Sequence, residues 1–374
     1  MKILVISDYL DELSSRPEAE IFMGLAREGL DVTIMTFPES PHIPAFERAG
    51  ARVIPYHPKT KFDKDAPGII RTELLRGGYD ILQMYNSRAY FSGLKAAKGL
   101  PVKVIFYRGS IMNIHWYDPT VYVKYFHPRV DAIICNTKAV EDRFRQQAPP
   151  WIRKIFVTIN KGHDPEWYAH VEPADLKKYG VNEGDFVFTC VANAQPVKGI
   201  AYLLRAMALL PRDLKLSLLL VGRNMDTEEF RTLAAQSGYE DRIHFVGYSK
   251  EVLSIDLASD VLVCPSTGAE SLTKAVVEAM FLGIAPIITN IPGNKYLVEH
   301  SGTGLVVPPK NAKALADAMY AVYRKPEWAH AMGHKAKERV KITLNTRKTV
   351  AEMREFYTDL VSGKNEYRTK RSMF

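Results

Sequence analysis

The chain alternates short apolar runs with helix-like stretches, and it does so in two separate series. The runs of the first series are 3–7, 31–36, 80–84, 102–107, 131–135 and 154–159. The runs of the second series are 186–192, 214–222, 242–247, 260–264, 284–289 and 304–308. Continuous apolar strands separated by helices are typical of parallel sheets with helices on both faces. The sequence therefore predicts an α/β protein with two Rossmann-like doubly wound domains facing across a ligand cleft.

A polar, proline-containing segment without a strong period separates the two series. Because the chain has 374 residues, it exceeds the size of one ordinary core and suits two domains. We predict an N-terminal domain at 1–160, a linker at 161–175 and a C-terminal domain at 176–344. The remaining segment, 345–374, is predicted to contain a helix and a basic tail, and to pack back on the N-terminal domain.

The formal net charge of +8 is unevenly distributed. Residues 51–150 contain 16 Lys and Arg against 8 Asp and Glu, and residues 301–374 contain 15 against 7. A basic surface favours an anionic partner, here an acidic membrane or a phosphorylated acceptor, although basic surfaces without a partner are common. Nucleic acid is not expected, because no zinc-finger spacing or RNA-binding aromatic signature accompanies the charge.

The sequence shows no targeting or membrane-spanning pattern. No apolar run approaches the ~20 residues of a membrane span, and the N-terminus enters a strand pattern without a cleavage site. We therefore expect a cytoplasmic protein, at most bound to the inner face of the plasma membrane. Cys135, Cys190 and Cys264 lie in separate apolar runs, which predicts buried thiols that form neither disulfides nor zinc sites.

Several enzyme classes lack their motifs in this chain. There is no G-x-G-x-x-G after the first strand, no phosphate loop of the G-x-x-x-x-G-K-[ST] type and no G-x-S-x-G elbow. Asp63 and Asp65 form a D-x-D match, but no apolar strand presents it, which favours a surface loop. His330 and His334 lack the glutamate and the third ligand of a zinc helix. No metal is therefore predicted.

The segment 264–280 places Glu270 and Glu278 eight positions apart around a predicted helix start. At a rise of about 1.5 Å per residue, eight positions separate the carboxylates by roughly 12 Å, about the length of a nucleotide sugar. The amides of 271–273 would lie in the first helical turn, where phosphate oxygens bind. The alternative is a solvated helix face on which Lys274 pairs with both glutamates.

Six pieces of the second half occur in a characteristic order. They are VANAQPVKG, LLLVGR, IHFVGY, CPSTGAESLTKAVVEAM, GIAPIITNIPG and GTGLVVP. With them, the second half resembles the donor domain of the retaining, metal-independent glycosyltransferases of GT-B architecture, glycosyltransferase family 4. The first half resembles the acceptor domain more loosely, through its opening strand and through 106–119, 127–140 and 157–168.

The resemblance implies a donor site in the second half. Glu270 resembles the glutamate that contacts the donor sugar, Glu278 the one that binds the ribose, and Lys198 the lysine that neutralises the phosphates. The residues that it places at the donor are Asn193, Gln195, Lys198, Arg223, Gly247, Tyr248, Ser271, Leu272, Thr273 and Glu278. Relatives usually carry an arginine where this chain has Asn193 or Gln195, and a neutral amide does not offset phosphate charge. Arg223 either compensates for this loss or has a structural role.

The resemblance also implies residues at the reacting centre and at the acceptor. Arg108 and His115 follow the fourth apolar run, where relatives carry polar residues, and we predict that both assist catalysis together with Glu270 and Lys198. His115 is also a candidate acceptor ligand or a structural histidine. The first loop lacks the glycine pair of many relatives, and Arg16 and Glu18 are expected to contact the acceptor instead. Tyr248 is expected either to stack on the base or to pack.

The family implies attack of an acceptor hydroxyl on the leaving-group face of the donor, with retention of configuration and without metal or cofactor. The expected donor is a UDP- or GDP-linked sugar, and the expected acceptor is a glycan or lipid-linked molecule in envelope polysaccharide or lipopolysaccharide synthesis. Aromatic and basic residues mix at 85–98, 115–129 and 149–154, which would suit contact with an anionic membrane. The alternatives are a sugar-nucleotide epimerase and a catalytically silent sugar-nucleotide-binding subunit.

Overall fold

The computed structural model describes residues 1–152, 154–268, 270–294 and 296–364. It divides into two compact units. Unit 1 consists of Met1–His163 together with the C-terminal segment that begins at Leu344, and unit 2 is Asp164–Thr343. The change from unit 1 to unit 2 falls within the segment where the sequence predicts a linker.

Each unit is built on one parallel sheet. The strands of unit 1 are β1 (Lys2–Ile6), β2 (Asp31–Thr36), β3 (Arg52–Pro55), β4 (Ile81–Met84), β5 (Lys103–Arg108), β6 (Ala132–Cys135) and β7 (Ile155–Thr158). Those of unit 2 are β8 (Phe186–Val191), β9 (Leu216–Val221), β10 (Ile243–Gly247), β11 (Val261–Cys264), β12 (Ala285–Thr289) and β13 (Leu305–Val307). The sheet orders are β3-β2-β1-β4-β5-β6-β7 and β10-β9-β8-β11-β12-β13. The predicted pair of Rossmann-like domains is confirmed.

Helices connect the strands of both units. Those of unit 1 are α1 (Glu12–Arg27), α2 (Ile43–Arg48), α3 (Ala66–Gly77), α4 (Ser87–Ala96), α5 (Pro119–Tyr122), α6 (Lys138–Gln147) and α14 (Thr346–Ser362). Those of unit 2 are α7 (Glu166–Ala169), α8 (Ile200–Met207), α9 (Glu228–Ser237), α10 (Val252–Leu257), α11 (Lys274–Leu282), α12 (Ala312–Tyr323) and α13 (Pro326–Thr343). Short 3₁₀ turns lie at Leu176–Tyr179, Pro196–Lys198 and Glu240–Arg242. None of the described helices is both long and apolar enough to cross a membrane.

The last helix, α14, is part of the core of unit 1. Its apolar face buries Val350, Met353 and Phe356 against α1 and the sheet. The two helices approach closely at Gly24, where an added Cβ would lie 2.5 Å from a methyl carbon of Val350. The sheet of unit 1 is therefore covered by a helix that follows the whole of unit 2 in the chain.

Strand β3 was not predicted from the sequence. Its four residues, Arg52–Pro55, carry a charged residue and a proline and are only partly buried. An edge strand tolerates a charged residue and a proline, and β3 therefore has no continuous apolar run that the sequence could reveal. The three cysteines are buried free thiols, as predicted.

Candidate active site

The predicted site residues of unit 2 lie in loops that follow successive strands of one sheet. Lys198 follows β8, Arg223 follows β9, Tyr248 follows β10 and Glu270 follows β11. Because all these strands are parallel, their carboxyl ends lie at the same edge. The strand order reverses between β8 and β11, and such a reversal opens a crevice for a ligand in doubly wound sheets.

Lys198 and Glu270 form an ion pair between Nζ and Oε1. Their side chains are 23% and 14% exposed, so the pair is largely withdrawn from water. The hydroxyl of Ser266 donates a further hydrogen bond to the same carboxylate oxygen at 3.4 Å. Electrostatic interactions are stronger where water is excluded. The structure thus brings together two predicted catalytic residues, and each holds the other in place.

The turn that carries Lys198 is fastened to the loop after β11. The backbone amide of Thr267 donates to the carbonyl of Val197 at 2.7 Å. Gly199 ends the turn with a φ of 70°, and an added Cβ would lie 2.1 Å from the carbonyl oxygen of Pro265. Only glycine meets both requirements without strain. The position of the lysine is therefore set by backbone contacts.

The helix after Glu270 begins later than predicted. Helix α11 starts at Lys274, and Thr273 is its N-cap with extended backbone. Residues 270–272 therefore lie in a loop, and the prediction that 271–273 form a first helical turn is wrong, as is the 12 Å helical spacing of the two glutamates. The reason is a tertiary contact, because the Thr273 hydroxyl bonds Oδ1 of the buried Asn294 at 2.7 Å.

The start of α11 suits an anion. Thr273 makes no side-chain capping bond to the helix. Its carbonyl accepts hydrogen bonds from the backbone amides of Val276 and Val277 at 3.1 and 3.2 Å. The amides of Lys274 and Ala275 precede these two and lie in the first turn of the helix. A helix N-terminus carries partial positive charge and binds phosphate groups. The first helical amides that a phosphate could meet on this segment are therefore those of Lys274 and Ala275, a few residues after 271–273.

Gly293 packs against the Glu270 loop, and its replacement by alanine is expected to displace that loop. An added Cβ would lie 2.3 Å from the carbonyl oxygen of Glu270 and 2.4 Å from that of Ser271. Overpacking of this kind costs about 1–3 kcal/mol, because backbone must move. The midpoint temperature of thermal unfolding and the affinity for nucleotide should both be lower in Gly293→Ala. The matched control is Gly268→Ala, since nothing lies within 4 Å of a Cβ there; equal behaviour of the two variants would contradict the expectation.

Glu278 lies inside α11 and is buried. It pairs with Lys274 at 2.8 Å, which is the i,i+4 contact of the alternative interpretation. Burial raises the pKa of Glu278. The carboxylate nevertheless lies on the same helix as the amides of Lys274 and Ala275, about one turn further along.

A second buried carboxyl, Asp256, was missed in the sequence. It lies on α10, is fully buried and accepts a hydrogen bond from the Thr189 hydroxyl at 3.0 Å. Its Oδ2 has no hydrogen-bond partner among the described residues. Burial, together with the negative charge of Glu278, raises the pKa of Asp256 to about 8. An aspartate inside the apolar stretch LSIDLA is the signal that could have found it.

Arg223 and Tyr248 form an exposed pair beside the site. The guanidinium lies 4.7 Å from the centroid of the Tyr248 ring. Asn193 fixes this corner, because its Oδ1 accepts the Arg223 backbone amide at 3.0 Å. Gly247, with a φ of 75°, accepts the amide of Gly222 at 2.8 Å through its carbonyl. Gln195 is exposed at the start of the Lys198 turn.

The remaining predicted residues lie in unit 1. Arg108 is engaged by its own loop, since Nε and Nη2 donate to the carbonyls of Ser110 and Met112 at 2.9 and 2.6 Å. The ring of His115 stacks on that of Tyr117, with centroids 5.1 Å apart. These contacts orient both side chains, and the catalytic roles of Arg108 and His115 stay predictions.

The two acceptor candidates lie on α1. Arg16 is partly buried. Glu18 is buried and forms an ion pair with Lys161 at 2.6 Å. The Lys161 ammonium in turn lies 4.5 Å from the ring centroid of Tyr107. A contact of Glu18 with an acceptor would therefore involve the whole of this buried pair.

No group of three or more His, Cys, Asp or Glu side chains suited to a metal ion is found in the ranges that the structure describes.

Comparisons with known proteins give consistent matches for both halves. A family model described as Glycosyl transferases group 1 matches residues 171–339, and one described as Glycosyltransferase Family 4 matches residues 19–167. A similar curated protein is N-acetyl-alpha-D-glucosaminyl L-malate synthase of Bacillus anthracis, 28% identical over 212 residues, or 56% of this chain and 55% of that protein. The match thus spans about half the length of that relative.

Other similarities extend over more of the chain. Phosphatidyl-myo-inositol mannosyltransferase of Mycolicibacterium smegmatis is 25% identical over 325 residues, 83% of this chain and 81% of that protein. The crystal structure of Anabaena HepE in complex with UDP is similar in fold, with a TM-score of 0.78, 18% identity and coverage of 96% of this chain and 100% of that one. The two family models match one parallel-sheet unit each, the group 1 model in unit 2 and the family 4 model almost wholly in unit 1. The chain belongs to the group 1 glycosyltransferases of GT-B fold, in glycosyltransferase family 4.

Proposed function

We propose that the protein transfers a sugar from a nucleoside-diphosphate donor to an acceptor hydroxyl, with retention of configuration. The observation that carries the proposal is the Lys198–Glu270 pair beside the start of α11, where Thr273 makes no side-chain capping bond to the helix. A lysine, a carboxylate and the first amides of a helix at the carboxyl edge of one sheet provide groups for the phosphates and the sugar of one ligand. Family membership supplies the reaction class.

The donor would lie along the edge of unit 2. In this arrangement Lys198 and the first amides of α11 bind the diphosphate, and Glu270 accepts hydrogen bonds from the sugar hydroxyls. Glu278 accepts hydrogen bonds from the ribose hydroxyls, and the base stacks on the exposed Arg223–Tyr248 pair. Because Asn193 holds the backbone of Arg223, this amide takes a positioning role in place of the arginine of relatives.

The chemical step follows from the charges of the site. The acceptor hydroxyl attacks the anomeric carbon on the face of the leaving group while the bond to the nucleoside diphosphate breaks. A phosphate oxygen of the departing diphosphate takes the hydroxyl proton. Negative charge grows on the diphosphate, and the lysine and helix amides stabilise it without reorganisation. We propose that neither metal nor cofactor takes part.

The acceptor side is proposed from the relatives and from unit 1. The mannosyltransferase relative is named for an inositol phospholipid, which supports a glycan or lipid-linked acceptor in envelope synthesis. We assign Arg16, Glu18, Arg108 and His115 to acceptor binding or to the reacting centre. A lipid-linked acceptor would bring the protein to the inner face of the plasma membrane.

Removal of the Glu278 carboxylate is expected to weaken nucleotide binding about tenfold to a hundredfold, because hydrogen bonds to a charged group contribute about 1.5–3 kcal/mol. Calorimetric titration of UDP, GDP and ADP, with EDTA present, measures this in the native protein and in Glu278→Ala. We expect selective binding of UDP or GDP, with UDP the first choice because HepE was solved with UDP.

The matched control for this titration is Glu338→Ala. Glu338 is also a helical glutamate of unit 2 paired with a lysine, Lys341 at 2.8 Å, but it is exposed. It should bind nucleotide like the native protein. No binding of any nucleotide, or equal weakening by both substitutions, would contradict the donor site.

A silent sugar-nucleotide-binding subunit is the second candidate. The neutral Asn193 and Gln195, and the pairing of Lys198 with Glu270, leave little net positive charge for a leaving diphosphate. Release of nucleotide from the donor distinguishes the two, since a transferase cleaves the donor slowly even without acceptor, whereas a binding subunit does not.

A further inference from the structure

The loop that follows β3 is supported by a single carboxylate. The Asp63 carboxylate accepts hydrogen bonds from the backbone amides of Lys59, Asp65 and Ala66 at 3.0, 3.1 and 3.1 Å. These bonds, led by that from Lys59, lower the pKa of Asp63 and keep it ionised. The first carboxylate of the D-x-D match thus holds a loop, and the loop presents the two preceding residues, Lys61 and Phe62, at the surface.

Phe62 is 73% exposed, which is unusual for a phenylalanine. Its ring lies 5.3 Å from the ring of Phe91 on α4. The ammonium of Lys124 lies 5.6 Å from the centroid of Phe91. Lys61 precedes Phe62 in the chain, and its charge, after burial, lowers the pKa of Lys124. Lys61, Phe62, Phe91 and Lys124 are called the Phe62 surface below.

More residues extend this surface. Val123, next to Lys124 in the chain, is exposed. The lysines in and around the surface are Lys59, Lys61, Lys64 and Lys124. The acidic groups beside them are Asp63, which is bonded to the loop backbone, Asp65, and Asp118, whose charge acts on Lys124. An exposed aromatic ring among cations is the combination that binds the interface of an anionic bilayer, where the ring enters the headgroup region and the lysines contact phosphates.

We infer that the Phe62 surface docks unit 1 on an anionic lipid bilayer. The loop leaves the carboxyl end of β3, and in a parallel sheet this is also the edge at which Arg108 ends β5. A bilayer at this edge presents lipid headgroups to the side of unit 1 where acceptor residues are proposed. The inference rests on the proposed function only for the lipid-linked acceptor.

The sequence offers a second aromatic among lysines, and it lies elsewhere. Trp151 is 72% exposed and precedes β7, so it lies at the amino-end edge of the same sheet, with Lys154 nearby. One flat bilayer does not contact both edges of a sheet. Trp151 is therefore separate from the docking surface and serves as its matched control.

Co-sedimentation with vesicles tests the inference. The full chain should bind vesicles rich in phosphatidylglycerol, bind pure phosphatidylcholine vesicles weakly, and lose binding at high salt. Phe62→Ala should weaken binding to the anionic vesicles about tenfold through lost apolar burial. Lys61→Glu should weaken it about tenfold or more through reversed charge.

The controls are Trp151→Ala and Lys335→Glu, the latter on α13 of unit 2, and both should bind as the native chain does. The inference is overturned if the native chain ignores anionic vesicles, if Phe62→Ala binds normally, or if Trp151→Ala loses as much. Circular dichroism verifies that the variants fold. Nucleotide titration of the same variants separates the two proposals: vesicle binding without nucleotide binding removes the proposed function and leaves the docking surface standing.

Discussion

Replacement of Lys198 by alanine is expected to lower sugar transfer by about a hundredfold to a thousandfold. Removal of one group that stabilises charge in the transition state typically costs this much. Here the loss is compounded, because Glu270 would keep its negative charge beside the departing diphosphate without its partner. The measurement is kcat/KM for nucleotide release from the donor selected by calorimetry, with and without acceptor.

The matched control for this substitution is Lys177→Ala. Lys177 pairs with Glu183 at 2.9 Å in the same unit, but both side chains are exposed, and such pairs contribute little. This variant should react like the native protein. If Lys198→Ala kept more than about a tenth of the native kcat/KM, the lysine would not have the electrostatic role proposed. A double variant with Glu270→Gln then shows whether the unpaired carboxylate causes part of the loss.

Replacement of Asp256 by asparagine is expected to stabilise the protein increasingly as pH rises. In the unfolded chain the carboxyl ionises near its ordinary pKa of 3.8, whereas in the folded protein it keeps its proton until about pH 8. The folded state binds more protons between these values, so native stability falls there by about 1.4 kcal/mol per pH unit. Asparagine cannot ionise, so the stability gained over the native protein reaches at most roughly 6 kcal/mol by about pH 8.

Denaturant unfolding of the two proteins from pH 5 to pH 9 measures this difference. The gap between Asp256→Asn and the native protein should widen up to about pH 8 and then become constant. Because the charge of Glu278 contributes to the raised pKa of Asp256, Glu278→Gln should move the plateau to lower pH. A gap that is independent of pH would show that Asp256 ionises normally in the folded protein.

The strands other than β3 could be predicted because they are continuous apolar runs, whereas the start of α11 could not. Local sequence favours a helix from about Glu270, but the hydrogen bond from Thr273 to Asn294 and the backbone of Gly293 hold 270–272 in a loop. These contacts join the loops after β11 and β12. Periodicity carries no information about which loops meet, so such bracing appears only in the structure.

The same distinction applies to the site. Lys198 was found in one motif, and Glu270 and Glu278 were found together in another. The ion pair between the first two joins residues far apart in sequence, and no pattern predicted it. The buried Asp256 has no motif at all, because the effect of Glu278 on the pKa of Asp256 depends on how α10 packs beside α11.

The return of α14 to unit 1 also governs the order in which the chain can fold during synthesis. The N-terminal strands leave the ribosome first, but the helix that covers them is made only after Asp164–Thr343. At 5–20 residues per second, this segment takes roughly 10–40 s to synthesise. Unit 2 can complete its core in that time, while the surface of unit 1 around Gly24 and Phe22 stays exposed to solvent until α14 is made. The first unit to be translated is therefore the last to be finished.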